Sequence, residues 1–372
     1  MDANKGWAVG GAYWAGVGII LATTDGGINW IQQGETLSNT LYSVYFINNN
    51  IGWAVGEMGK ILKTTNGGID WVYQESNTSY DLYSVHFINE NKGWAVGYSG
   101  TLVKTNNGGD DWYPQDMGTI SRLKSVFFID SFTGWIIASL KIYKTTDGGS
   151  TWNSQSSGSL ESIYFTNAQI GWVVGSGGSI LKTTNGGTIW NSQSSGTSNL
   201  LHSVYFINEN IGWAVGAAGI ILKTENGGAN WITQYNPTGN NLKCIYFTDA
   251  NSGWVVGDGG TILKTTTNGT AFIEDNHYVK SSIPNNIILP QNYPNPFNPS
   301  TIINYSVPIQ SNVKIIIYDL FGREVTTLVN EEKPAGQHSV VFKAHGLASG
   351  VYFISLQVQD EFYQHRKMLL VR

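Results

Sequence analysis

The sequence is poor in charge, in arginine, in cysteine and, over most of its length, in proline. Asp, Glu, Lys and Arg make up 13% of its 372 residues, about half the ~25% usual in soluble domains. Only four are Arg (Arg122, Arg323, Arg366 and Arg372), and the net charge is −5. That balance excludes the basic stripe on which nucleic-acid binding depends. The single Cys, Cys244, excludes an internal disulfide and a Cys-based zinc site. No apolar run approaches the length of a membrane span, so none is expected. Strings such as "GEMGK" lack the strand–loop–helix setting of a phosphate loop. His86 and His202 fall at different strand positions, so they are not expected to pair as metal ligands. No cofactor, metal site or catalytic constellation is therefore expected.

What is abundant is Gly (45), Tyr (19) and Trp (14), the makeup of a turn-rich β protein. The dipeptide Gly-Trp recurs at Gly6, Gly52, Gly93, Gly134, Gly171, Gly212 and Gly253, with spacings of 46, 41, 41, 37, 41 and 41. One unit, residues 41–76, divides into four extended pieces. They are the alternating "YSVYFI", then "GWAVG", "KILKT" and "DWVYQ", separated by the turns "NNN", "EMGK" and "TNGGI". Four strands per unit, seven times over, is the pattern of a seven-bladed β-propeller. The short fourth interval marks a clipped hairpin at "ASLK" and a clipped connector at "SSGSLES".

The third turn reads Thr-x-Asp/Asn-Gly-Gly-x-x-Trp. Its Asx residues are Asp25, Asn66, Asn107, Asp147, Asn185 and Asn226, and its closing residues are Trp30, Trp71, Trp112, Trp152, Trp190 and Trp231. The pattern resembles the Asp-box, or sialidase-type repeat. A short Asx side chain bonds backbone N–H groups two residues on, the Gly pair supplies positive φ, and the Trp folds over the hairpin. These residues are read as structural, and truncating Trp152 is expected to cost far more than truncating Lys144. The seventh box, "TTTNGTAF", is degenerate. A Lys recurs on the third strand (Lys63, Lys104, Lys144, Lys182, Lys223 and Lys264) and is expected to be solvated, its stem covering apolar surface.

Composition changes near residue 280. Seven of the nine Pro lie at or beyond Pro284, and no Trp follows Trp254. The expected division is a propeller over 1–275, a linker over 276–289, and a small immunoglobulin-like β-sandwich over 290–372. The tail resembles the type A C-terminal sorting domain of the type IX secretion system. The matching residues are "NYPNPFNPST" (292–301), "IYDLFGREV" (317–325), "LASGVYF" (347–353) and "RKMLLVR" (366–372), with Asn295, Pro296, Phe297, Asn298, Pro299, Gly350 and Lys367 as its motif positions. The resemblance implies export, recognition by the type IX machinery, and a secreted or outer-surface location. The repeats, through "GWAVG…G.ILKTTNGG..W", resemble the propellers of photosystem II stability and assembly factors. Those proteins are described with an arginine-lined surface, whereas here the propeller holds one Arg, Arg122.

The first repeat begins at the end of its first turn and lacks an inner strand, and no apolar leader precedes it. The expectation is that the natural protein carries a signal peptide and a further strand upstream. Otherwise the first blade is three-stranded or is completed by "HYVKSSI" (277–283).

Recognition is expected on the face formed by the blade connectors and by the turns from second to third strand, where sequence varies most between repeats. Its candidate binding residues are Tyr13, Trp14, Glu57, Tyr98 and Asp258, with Ser139, Ser176, Ala217, Tyr80, Asp81, Asp116 and Tyr235 on the same face. Aromatics beside carboxylates suit an extracellular glycan or protein ligand. Three functions compete: a secreted non-catalytic binding scaffold, a polysaccharide-acting hydrolase, and an assembly factor like the photosynthetic relatives. Hydrolysis requires two carboxylates ~5–10 Å apart, and no motif here places such a pair. A sialidase grips its carboxylate with several Arg, which this region lacks.

Overall fold

A computed structural model describes residues 4–12, 17–34, 37–267, 269, 272–274, 287–307, 310–333, 336–344, 346–359 and 362–371. It divides into two compact units, 1–278 and 279–372. Among the described residues, unit 1 contains seven antiparallel sheets in chain order, one three-stranded and six four-stranded. Blade 1 is Gly6–Ala12, Val17–Thr23 and Ile31–Gln32. Blade 2 is complete, with inner strand Leu41–Phe46, second strand Gly52–Gly56, third strand Ile61–Thr64 and outer strand Val72–Gln74. The inner strands of blades 3 to 7 are Leu82–Phe87, Leu123–Phe128, Leu160–Phe165, Leu201–Phe206 and Leu242–Phe247. Each inner strand packs beside the next. No strand among the described residues lies inside Gly6–Ala12, so blade 1 has three strands there. The segment "HYVKSSI" lies outside the described residues.

One six-residue inner strand explains how neighbouring blades lock. Its last residue is Phe, and the preceding blade's Gly-Trp indole stacks face-on against it. Trp7–Phe46, Trp53–Phe87 and Trp94–Phe128 have centroids 3.5 Å apart, and Trp135–Phe165, Trp172–Phe206 and Trp213–Phe247 have them 3.6 Å apart. The box Trp of the same blade meets that Phe edge-on, as Trp71 does Phe46 at 5.8 Å. Gly of Gly-Trp is required here because a Cβ on Gly52 would stand 2.6 Å from the Phe46 ring.

The stacked indole also donates across the seam to the first Gly carbonyl of the next box. The bonds are Trp7 to Gly67 (3.0 Å), Trp53 to Gly108 (3.0 Å), Trp94 to Gly148 (3.4 Å), Trp135 to Gly186 (3.4 Å) and Trp172 to Gly227 (3.1 Å). Trp254 of blade 7 donates to Gly26 of blade 1 at 3.2 Å, which joins the last blade to the first. Ala8 and Trp30 pack with Ile262 at that seam.

The third-strand lysines depart from expectation. In register, Lys63 stands opposite Trp53 and Lys144 opposite Trp135, so the stem lies along the indole. In blades 4 and 5 the ammonium is drawn into the seam rather than solvated, whereas Lys63 and Lys223 pair with the exposed carboxylates of Asp110 and Glu225. Lys144 Nζ sits 5.4 Å from the Trp135 centroid and donates to the Gly186 carbonyl at 2.8 Å, and Lys182 does the same on Trp172 and Gly227. Lys223 is buried.

The box turn is built as read, with one difference. Asn66 Oδ1 accepts the N–H of Asp70, four residues on, while Thr64 Oγ1 accepts the N–H of Gly68. The turn is tied to the inner hairpin by Gly67 N–H to the Asn50 carbonyl, 2.8 Å.

Unit 2 is a two-sheet sandwich. Ser300–Val307 pairs with Gly336–Lys343, and a second sheet runs in the order Glu324–Lys333, Ser311–Tyr318, Gly350–Val358, Phe362–Leu370. Leu289, Phe297, Ile303, Tyr305, Ile315, Ile317, Ile354, Leu356, Met368 and Leu370 share its core. The Pro-rich lead-in is a strap sewn to the last strand. Phe297 N–H bonds the Leu369 carbonyl, Val371 N–H bonds the Phe297 carbonyl, and Asn295 Oδ1 accepts the Leu369 N–H. Asn292, buried, donates to Thr301 Oγ1 and to the Pro294 carbonyl. Gly350 opens a strand, and the Lys367 side chain is exposed.

Candidate binding face

The turns from second to third strand include the one-turn segments Glu57–Gly59, Tyr98–Gly100, Ser176–Gly178, Ala217–Gly219 and Asp258–Gly260. Each docks on its own blade's connector through its first N–H. Glu57 bonds the Thr40 carbonyl, Tyr98 the Asp81 carbonyl and Asp258 the Asn241 carbonyl. Turns and connectors therefore share one face, opposite the Asp-boxes. Blade 4, clipped at "ASLK", has no such segment.

A bulge interrupts every complete inner strand at its second residue. The register shifts between Leu41 and Ser43, Leu82 and Ser84, Leu123 and Ser125, Leu160 and Ser162, Leu201 and Ser203, and Leu242 and Cys244. A bulge takes one residue out of the pleat and re-aims its side chain. The six residues so treated are Tyr42, Tyr83, Lys124, Glu161, His202 and Lys243, one per blade around the mouth of the turn face.

They fall into two groups. In blades 2 to 4, Tyr42 and Tyr83 have centroids 5.4 Å apart, and the Arg122 guanidinium lies 5.0 Å from the Tyr83 centroid and 5.7 Å from that of Tyr98. Tyr80 stands 5.9 Å from Tyr98. Both are about half exposed, and Met58, at φ 54°, adds an exposed apolar side chain beside the Asp81 carboxylate that accepts its N–H. Burial, followed by the Glu57 carboxylate, pushes the Tyr42 hydroxyl well above the ordinary tyrosine range.

In blades 4 to 7 the group is ionic. Lys124 pairs with Glu161 at 2.6 Å and Lys243 with Asp258 at 3.3 Å. His202 lies among these four charges. Burial first, then Lys243, holds its imidazole below the usual histidine range.

Beneath the mouth the axis is lined by aromatic rings from the fifth inner-strand position. Tyr45, His86, Phe127, Tyr164, Tyr205 and Tyr246 follow one another at 4.9–5.3 Å between centroids. His86 Nε2 donates to the Phe128 carbonyl at 2.9 Å, and burial lowers its pKa to about 4. Among the described residues no group of three or more His, Cys, Asp or Glu is placed to hold a metal ion.

The residues singled out from sequence are distributed as follows. Tyr13 and Trp14 lie outside the described residues. Glu57 is buried, and both its oxygens are engaged, one by the Thr40 N–H (2.8 Å) and one by the Tyr42 hydroxyl (3.3 Å). Through Tyr42, Tyr83 and Arg122 it joins Tyr98 in one group. Asp258 belongs to the other group, where Asn241 also donates to it. Sequence reasoning missed the six bulge residues and the role of Arg122. The second position of the inner strand changes from Tyr to Lys, Glu and His between repeats, but nothing in the sequence marks it as a bulge.

Residues 65–160 and 154–234 match the family model for the photosynthesis system II assembly factor YCF48, and residues 291–371 match that for a secretion system C-terminal sorting domain. Among curated proteins none matches the chain. Several solved structures share the fold. A YCF48 bound to a D1 peptide is 18% identical, covering 82% of this chain and 91% of its own, with a TM-score of 0.55. YCF48 from Cyanidioschyzon merolae is 23% identical, covering 71% and 92%, with a TM-score of 0.60. The GH74 enzyme of Niastella koreensis is 14% identical, covering 97% and 74%, with a TM-score of 0.58. No helix among the described residues is long and apolar enough to cross a membrane. The chain thus joins a β-propeller, matched over residues 65–234 by the family model for the photosynthesis system II assembly factor YCF48, to a β-sandwich that matches the model for a secretion system C-terminal sorting domain.

Proposed function

We propose that this chain is exported through the type IX secretion system by its C-terminal domain and acts outside the cell, or on its surface, as a non-catalytic scaffold whose propeller grips a polypeptide on the turn face. The observation that carries the reading is the ring of six bulge residues. A bulge costs a ladder hydrogen bond, and here it recurs in every complete blade at the inner-strand position whose chemistry varies most, Tyr, Tyr, Lys, Glu, His and Lys. Rigid aromatics and a stacked guanidinium on one side, with paired charges on the other, match a ligand having apolar and charged ends, as a peptide does. The solved YCF48 bound to a D1 peptide supports a peptide ligand for this propeller type.

The test is retention of the 372-residue chain on paired peptide and glycan arrays, with released products assayed alongside. Retention on peptides without turnover is expected, together with a roughly two- to fivefold loss in Arg122→Ala, because an exposed guanidinium stacked on aromatic rings is worth about 0.5–1 kcal/mol. Product release, or retention unchanged in Arg122→Ala, would contradict the reading.

A further inference from the structure

Four of the Asp-box turns hold Asn directly before Gly: Asn66–Gly67, Asn107–Gly108, Asn185–Gly186 and Asn226–Gly227. Asn-Gly is the pair most open to spontaneous deamidation, because Gly puts no side chain in the way of its own nitrogen. The Gly nitrogen, its proton taken by hydroxide, bonds to the Asn Cγ. The Cγ–Nδ2 bond breaks and, with a proton from water, ammonia leaves. One water then opens the five-membered imide at either carbonyl, giving Asp or isoaspartate. All four Asn are exposed, so water and hydroxide reach them, and burial does not protect them.

Both reacting groups are nevertheless engaged. Each attacking N–H is donated at 2.8 Å to a carbonyl of the inner hairpin: Gly67 to Asn50, Gly108 to Asn91, Gly186 to Gln169 and Gly227 to Asn210. Each side-chain amide is pinned as well. Asn66 Oδ1 accepts the Thr64 hydroxyl and the Asp70 N–H, both at 3.0 Å, while its Nδ2 donates to Asp70 at 2.8 Å. Asn107 repeats the set with Thr105 and Asp111. Asn185 is held by Thr183 and Ile189, and Asn226 by Thr224 and Asn230. Attack needs a Gly nitrogen stripped of its proton and an Asn side chain free to turn, and the closed turn allows neither. The same slot shows which product the turn tolerates. Asp147 accepts the Thr145 hydroxyl at 2.7 Å and the Thr151 N–H at 2.9 Å, so Asp keeps the turn. Isoaspartate adds one carbon to the main chain ahead of a Gly pair held at φ +75° and +89°, as Gly67 and Gly68 are, and breaks it. We infer that the four Asn-Gly pairs are latent deamidation sites, closed by the folded box turn and opened only when that turn parts from its inner hairpin. The inference concerns the Asp-box face and does not rest on the ligand proposed above.

The experiment keeps the full chain in mildly alkaline buffer, folded and in guanidinium, and follows each of the four pairs by peptide mass spectrometry. Conversion in the folded chain waits on local opening, so it is expected to run at least roughly a hundredfold below the unfolded rate. Thr64→Val removes the hydroxyl shared by Asn66 and Gly68. It should raise conversion at Asn66 about fivefold or more, while Asn107, Asn185 and Asn226 keep their rates and show that the ring as a whole is still closed. The comparison of folded and unfolded parent chain stands whether or not that variant folds. Conversion in the folded parent at a rate close to the unfolded one, or a folded Thr64→Val chain in which Asn66 converts no faster than in the parent, would overturn the inference.

Discussion

At the scale of single residues, two kinds of Trp carry different loads. Trp135 is fully enclosed, stacks on Phe165, donates to Gly186 and bears the Lys144 ammonium, while Trp152 is half-buried and meets Phe128 by its edge. Truncating a buried Trp costs ~3–5 kcal/mol. Thermal unfolding should therefore rank Trp135→Ala as the largest loss, Trp152→Ala next and Lys144→Ala least. Equal shifts for the two Trp variants would contradict the seam described above. His86 makes a pH prediction. Folded, it stays neutral down to about pH 4; unfolded, it titrates near 6.5. Between these values the unfolded chain binds the extra proton, so stability falls as pH drops through that window and levels off below it. Phe occupies the same position in blade 4, as Phe127. His86→Phe should flatten that part of the pH–melting curve, whereas an unchanged slope would place its origin elsewhere.

At the scale of elements, the strands and turns were legible because each repeat states its pattern afresh. Alternation gave the inner strand, Gly-Trp the second, and the Thr-Asx-Gly-Gly run the third turn. The second Gly of the box shows how tightly that turn is specified. Gly109 has φ +97°, and a Cβ there would stand 2.8 Å from Gln74 Oε1 and 3.0 Å from Trp112 Nε1. Gly109→Ala should destabilise the ring by more than the ~1–3 kcal/mol of backbone strain alone, and more than Gly118→Ala, which meets nothing within 4 Å. A comparison of the two melting temperatures checks it. In the sandwich, the strap depends on Asn292, which bonds Thr301 and the Pro294 carbonyl from a buried site. Asn292→Ala removes both of its bonds, although Thr301 Oγ1 still donates to the Pro294 carbonyl, at a cost of ~1 kcal/mol. Calorimetry should show the transition of the sorting domain lowered and that of the propeller unmoved. The strap was not legible as structure, since its bonds join residues more than seventy positions apart.

At the scale of the whole molecule, a ring of near-identical sheets leaves function to the few positions where the repeats differ. The turns that hold Glu57, Tyr98 and Asp258 could be found because they vary. The bulges could not, because a one-residue slip in pairing leaves no mark on alternation; it shows only when the partner strand is seen. Nor could sequence separate Glu57, buried and held by Thr40 and Tyr42, from Tyr98, which is about half exposed. Lys144 and Lys182 were misjudged for a related reason: their ammonium groups meet a carbonyl of the next blade, which local pattern does not contain. The proposed ligand meets the turn face. Hydrogen exchange with mass spectrometry, on the full chain with and without an array-selected peptide, tells that face from the other. New protection is expected around the bulges at Tyr42, Tyr83 and Lys124 and the turn at Tyr98, with the Asp-box turns unchanged; protection confined to the Asp-box turns would rule the turn face out.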